Sequence, residues 1–209
     1  MRKTLRRALP LLLLLPATQL LANEWNFDVY LDDKKVGTHL FEVLEAADQR
    51  QVQSVANFKV KFLFFNAYRY NHTAIEKWDE NCLQYFDANT KVNGKPTAVS
   101  GESAESGFVV EKSDSTELLP ECVMTFAYWN PEFLKQKKLL NPQTGEYLDV
   151  DVELVGSDAL EVRGETVNAK RYKITAKDID LLVWYANDEE WVALESVAKT
   201  GHIIRYELS

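Results

Sequence analysis

The chain has 209 residues, with 24 Lys and Arg against 32 Asp and Glu, for a net charge of −8. Four of the basic residues, Arg2, Lys3, Arg6 and Arg7, crowd the N-terminus, so the remainder is more acidic still. An acidic surface argues against nucleic acid and anionic headgroups as partners, because both repel it.

The opening MRKTLRRALPLLLLLPATQLLA has a basic start, a short apolar run from Leu9 to Leu15 and a small residue, Ala22, at a plausible cleavage point. The run is too short for the about 20 residues that a membrane helix needs. It reads as a secretory leader over residues 1–22, cut after Ala22. The expected mature chain is one periplasmic domain, residues 23–209, and not an integral membrane protein. No cysteine lies near the cut, so no lipid anchor is expected. An uncleaved N-terminal anchor is the alternative.

From Trp25 onward the apolar residues alternate. WNFDVYL places Trp25, Phe27, Val29 and Leu31 on one face, and Asp32-Asp33-Lys34-Lys35 reads as a turn. VGTHLFEVL resumes with His39, Phe41 and Val43 in phase. VQSVANFKVKFLFF reads as one long strand leading into YRYNHTAIEKW. CLQYFDANTKV follows, and Asn93-Gly94 is a strong type I′ hairpin signal. KPTAV and GFVVEK are the next two strands. A period of two throughout marks half-buried antiparallel strands.

The pattern breaks between Thr116 and Gly145. Asn130 before Pro131 is a good helix start, since asparagine caps and proline suits the first turn. PEFLKQKKLL is then expected as a short helix inside an insert spanning about 116–145. The apolar FAYW before it suits a buried loop or a lid, and Trp129 suits a cavity mouth. Alternation returns from YLDVDVELVG to HIIRYEL. The expected fold is mainly β. It is a single strongly curved antiparallel sheet, a half-barrel or open barrel, of roughly ten to twelve strands with one short helical insert. The two cysteines, Cys82 and Cys122, are expected to form a disulfide in an exported protein.

Three histidines fall in the apolar phase of their strands: His39 with Phe41, His72 with Tyr68 and Tyr70, and His202 with Ile204 and Tyr206. Glu76 and Trp78 share a face with His72. Three explanations compete. Each histidine is satisfied separately inside the core; or together they form the polar end of an apolar cavity; or His39, His72, His202 and Glu76 build a metal or acid–base site. No tight ligand motif favours the last, and no metal or other cofactor is expected. Neither GxSxG, nor a P-loop, nor a dinucleotide fingerprint is present.

The stretches WNFDVYLDDKKVGTHLF, YRYNHTAIEKWDENCLQYFDANTKVNGK and FAYWNPEFLKQKKLLNPQTGEY resemble a group of bacterial periplasmic proteins known only as a domain of unknown function. The C-terminal part, from GETVNAKRYKITA to HIIRYEL, is similar to a broader set of exported β proteins, which in turn resembles the curved-sheet lipoprotein carriers of the bacterial envelope. That likeness implies a half-barrel able to hold an acyl chain. A lipobox is lacking, and the insert sits elsewhere than in the carriers.

The leading expectation is therefore an exported protein that binds an apolar or amphipathic, lipid-like small molecule in a concave β cavity. His39, Phe41, Tyr68, Tyr70, His72, Glu76, Trp78, Trp184, His202 and Tyr206 are the candidate ligand-binding residues. The insert from Leu118 to Leu140 would gate the opening. Two alternatives stand beside it. One is a hydrolase or lyase using His72 and Glu76, with or without a metal. The other is a module that pairs through a sheet edge with an envelope protein.

Overall fold

The structure is a computed structural model that describes residues 21–46, 49–62, 65–197 and 201–209. The expected leader lies outside the described residues, except for Leu21 and Ala22. The strands, in chain order, are β1 (Leu21–Leu31), β2 (Lys34–Ala46), β3 (Gln49–Phe62), β4 (Phe65–Asp79), β5 (Cys82–Val92), β6 (Lys95–Ala104) and β7 (Gly107–Lys112). They continue with β8 (Ser115–Leu119), β9 (Lys138–Leu140), β10 (Tyr147–Val162), β11 (Glu165–Ala176), β12 (Ile179–Tyr185), β13 (Trp191–Val197) and β14 (Ile203–Leu208).

All fourteen join one antiparallel sheet, in the order β8-β7-β6-β5-β4-β3-β2-β1-β14-β13-β12-β11-β10-β9. Every neighbour is a sequence neighbour except β1 and β14, where the two ends of the described chain meet. That junction pairs Phe27 with Leu208 and Leu31 with Ile204. Tight turns set the hairpins. Asn93 and Gly94 both have positive φ, as a type I′ turn requires.

The half-barrel or open barrel of ten to twelve strands with a helical insert is corrected here. The pairings give one uninterrupted open sheet of fourteen strands whose edges, β8 and β9, are far apart in the strand order. The expected helix is a 3-10 turn, Pro131–Lys135, followed by β9. Asn130 does cap it: its Oδ1 accepts from the backbone N–H of Glu132 at 3.1 Å. No α-helix forms among the described residues, and none has a helix long and apolar enough to cross a membrane.

Alternation leaves one face of the sheet apolar, and the connection between β8 and β9 covers it. Val123, Met124, Ala127, Phe133 and Leu139 in or beside that connection are buried against the sheet. Trp78, Trp191, Phe27, Phe86 and Phe108 are fully buried beneath it or beside it. Each large side chain contributes about 1.5–3 kcal/mol by leaving water. Gly101 sits where a Cβ would lie 2.6 Å from both Phe86 and Phe108, so the two rings close over bare backbone.

The cover is pinned at both ends. Cys122 is bonded to Cys82 at the start of β5, as expected from the sequence. The Leu83 N–H donates to the carbonyl of Val123 at 3.0 Å, and the Leu140 N–H to that of Met124 at 2.9 Å. The disulfide closes a loop with a sequence separation of 40 residues. Its loss should therefore destabilise the folded chain. The double variant Cys82→Ser, Cys122→Ser is expected to lose about 3–4 kcal/mol of unfolding free energy in urea titrations. A loss below about 1 kcal/mol would show that the other contacts of the cover suffice.

Candidate functional site

Between the sheet and the cover lies a pocket of about 250 Å³. Its floor comes from neighbouring strands: His39 and Phe41 on β2, Val52 and Ser54 on β3, and His72, Ala74 and Glu76 on β4. Its roof is Thr125 to Trp129. Asn141, Gln143, Asp178, Leu181 and Ser196 complete the lining.

Register explains the floor. His39 pairs with Ala56, and Ala56 with His72, so both imidazoles rise from one row with a methyl group between them. The small Ala56 leaves room for the rings. His39 is stacked on Phe41, 4.1 Å between centroids. Its Nε2 shares a hydrogen bond with Ser54 Oγ at 2.7 Å, and its Nδ1 lies 3.4 Å from the Tyr206 hydroxyl. His72 Nδ1 shares a hydrogen bond with Thr90 Oγ1 at 2.8 Å, across the β4–β5 pair. Glu76 is only 7 % exposed. The Trp78 indole N–H donates to Glu76 Oε2 at 3.0 Å, and the Thr125 hydroxyl donates to the same oxygen at 3.5 Å.

Burial dominates the electrostatics. It pushes His39 down to about 3, with the neighbouring His72 adding to the effect, and His72 down to about 4. Both rings are therefore neutral near pH 7 and act as hydrogen-bonding groups rather than as bases. Burial raises Glu76 to about 7, against the opposing hydrogen bonds from Trp78 and Thr125.

The expected residues divide sharply. His39, Phe41, His72 and Glu76 line the pocket, with Trp78 and Tyr206 directly behind as partners of Glu76 and His39. Tyr70 is half-buried and stacked on Phe58 at 5.1 Å. Tyr68 is exposed. Trp184 points to the other side of the sheet, where its indole N–H donates to Asp158 at 2.8 Å. Asp158 is also paired with Arg171 there. His202 is exposed just before β14 and bonds to Asp32 at 2.9 Å, so the three histidines do not converge. Sequence reasoning missed Ser54, Thr90 and Thr125. Ser54 was legible from its phase with Val52 and Ala56, whereas Thr90 and Thr125 needed the register and the path of the cover.

Two functional expectations are corrected. The concave lipid-holding cavity is not found. The apolar face is filled by the cover, and the space left beneath it is about 250 Å³, under the roughly 300–1,000 Å³ of pockets for drug-sized ligands. The metal-assisted or His72–Glu76 acid–base site is also not formed. No group of three or more His, Cys, Asp or Glu side chains is placed to hold a metal among the described residues. His72 and Glu76 engage separate partners, Thr90 for one and Trp78 with Thr125 for the other.

Glu76 makes stability depend on pH. Below pH 4.5 its carboxyl is protonated in both states. Between 4.5 and about 7 the unfolded chain releases the proton and the folded chain keeps it, so stability falls as pH rises. Above about 7 the loss is complete, at about 3 kcal/mol. His39 and His72 act in the opposite sense, contributing stability above pH 6.5 that is lost as pH falls toward 4 and 3. Relative to wild type, Glu76→Gln is therefore expected to gain about 3 kcal/mol between pH 4 and pH 8 in urea unfolding. A difference independent of pH would mean that water reaches the carboxyl.

Comparison with known proteins follows the fold rather than the pocket. The crystal structure of a beta-barrel-like protein of domain of unknown function DUF1849 from Brucella abortus is similar to this chain, with a TM-score of 0.67 at 13% identity. The match covers 92% of this chain and 98% of that one. At such identity the likeness concerns the fold alone. No curated protein matches the chain. A family model described as Domain of unknown function (DUF6134) matches residues 27–209, which include the C-terminal part of β1, β2 to β14 and every residue of the pocket. The chain belongs to that family.

Proposed function

We propose that the protein binds a small ligand bearing hydrogen-bonding groups in the pocket between the sheet and the Thr125–Trp129 roof. The observation that carries this reading is the density of placed polar atoms in an otherwise apolar enclosure. Ser54, His39, His72, Glu76 and Thr125 converge there beside Phe41, Val52, Ala74 and Ala127. Small-molecule sites have this composition: apolar walls with a few polar groups that fix orientation. Neutral imidazoles suit recognition, since each offers one donor and one acceptor. The roof is tied to the floor through Thr125 and Glu76, and closure would expel water from the ligand.

The reading includes a location outside the cytoplasm, with residues 1–22 removed and residues 23–209 working as one domain. The basic-then-apolar N-terminus supports it, as does the Cys82–Cys122 bond, since disulfides persist in oxidising compartments. N-terminal sequencing of the protein made in a bacterial host should begin at Asn23. A start at Met1 would remove the export reading.

The pocket itself is tested by filling it. Ala74→Leu places a larger side chain on the floor. A small-fragment library screened by ligand-observed NMR is expected to give hits on the wild type that also move the His39 and His72 ring signals. Those hits should weaken at least about tenfold on Ala74→Leu. Ser54→Ala, a milder change, should weaken the same hits by about threefold to tenfold while thermal unfolding confirms the fold. Hits that ignore both changes would place binding elsewhere.

A further inference from the structure

The floor of the pocket carries one buried carboxyl, Glu76, and no lysine or arginine lines the pocket among the described residues. Glu76 is nine-tenths buried, and both of its hydrogen bonds, from Trp78 and Thr125, fall on Oε2. Neither partner carries a charge. A buried carboxylate without a cation is costly, because desolvation is not offset by attraction to an opposite charge. Arg50 stacks on Trp129 at 5.5 Å, but it is paired with Glu45 at 3.6 Å and does not line the pocket.

The walls add a second property. Phe41, Phe126, Tyr128 and Trp129 all line the same space. Trp129 is held edge-on to Trp78 at 5.5 Å, and Tyr128 lies 5.2 Å from Trp191, so packing fixes both roof rings. Aromatic faces attract cations that have lost their water. A bare metal ion would need several oxygen or nitrogen ligands at once, and no such set is present among the described residues. An organic ammonium needs only one carboxylate and apolar or aromatic contact over its carbon surface.

We infer that the ligand of this pocket is a compact organic monocation, an ammonium compound, whose charge is matched by Glu76 and whose carbon surface meets the roof aromatics. The inference rests on the small-ligand reading above and narrows it to one charge class. The pocket volume of about 250 Å³ sets the size to a few carbons around the nitrogen. An anion would meet the buried carboxyl of Glu76, whose two hydrogen-bond partners carry no charge. A neutral ligand would leave Glu76 either protonated or unmatched.

The groups facing Glu76 set the expected pH dependence. On its own strand these are His72 and Trp78; on β3 and β5 its register partners are Val52 and Phe86; from the cover comes Thr125. His39, Tyr128 and Asp178 are the other titratable groups around the pocket. Both imidazoles are already neutral above about pH 5, as their lowered values require. The carboxyl of Glu76 is then the group whose ionisation changes between pH 6 and 8. Cation binding should strengthen over that range and release a proton at the lower end of it.

The test uses three probes of one shape on the full-length mature protein. They are choline, the uncharged alcohol in which carbon replaces its nitrogen, and the carboxylate of the same skeleton. Binding is read by calorimetry and by the His39 and His72 ring signals. At about pH 8 choline is expected to bind at least about tenfold more tightly than the alcohol, and the carboxylate not to bind. At about pH 6 the preference should shrink, and in Glu76→Gln it should vanish while the alcohol still binds. Equal or tighter binding of the alcohol would overturn the cation inference and leave the small-ligand reading standing. A choline preference that survives in Glu76→Gln would overturn the role of that carboxylate. Ring signals unmoved by all three probes, while the fragment hits still move them, would overturn the cation inference alone. Unmoved by probes and fragments alike, they would overturn both.

Discussion

A sheet with one apolar face must have that face covered, and most of this structure follows from how that is done. Fourteen strands in near-perfect hairpin order give long alternating runs, and so a broad apolar surface with few helices to bury it. A single connection, from Leu119 to Lys138, takes that part. It contributes Val123, Met124, Ala127, Trp129 and Phe133, all buried, and brings its own backbone partners at Leu83 and Leu140. A buried connection would otherwise leave polar groups unmatched. The tight link at Cys122 and the capped turn at Asn130 restrict the path between them. The pocket is the part of the interface that the cover does not fill.

The sheet's edges are restrained by simpler means. β8 has 5 residues and β9 has 3, and short edges offer little template for another chain. β9 is also bridged by Thr125. Along β10, the exposed Asp149, Asp151 and Glu153 alternate with Leu148, Val150 and Val152, so charge lines the solvent side of the strand beyond β9. The same alternation that buries one face thus discourages association through the other.

Much of this was legible in the sequence, though not evenly. Period-two alternation identifies strands from Trp25 to Val99, from Gly107 to Lys112 and from Tyr147 to Leu208, and Asn93-Gly94 marks its turn; the small, polar stretch 100–104 does not read as a strand, yet it completes β6. VQSVANFKVKFLFF reads as one long strand leading into YRYNHTAIEKW, yet β3 ends at Phe62 and β4 begins at Phe65. Neither glycine nor proline marks that hairpin, and apolar residues run through it. β8 and β9 were lost inside the insert because each is too short to show a period. Asn130-Pro131 correctly marked a capped start. The residues after it were expected to be helical, but they pass into β9, whose Leu139 and Leu140 are wholly buried. Tertiary burial outweighed helix propensity there. His202 shows the limit of phase counting: it lies just outside β14, where the alternation of that strand no longer applies. Convergence of His39 with His72 depended on register through Ala56, which no local pattern encodes.

Glu76 joins the stability of the fold to the chemistry of the pocket. A glutamate at a position flanked by Ala74 and Trp78 lowers stability above pH 7, and a glutamine or a leucine could occupy the space at less cost. Its carboxyl nevertheless meets two uncharged donors placed on different elements, one from its own strand and one from the cover. Those contacts orient the group without neutralising it. Thr125 is itself buried, so its hydroxyl can donate to the carboxyl but leaves no room for a cationic side chain there. Orientation without neutralisation is the arrangement expected when the charge is kept for something that enters from outside. The cover then has two roles that cannot be separated: it supplies the burial that makes the carboxylate costly, and it supplies the aromatic rings that would receive a cation to offset it.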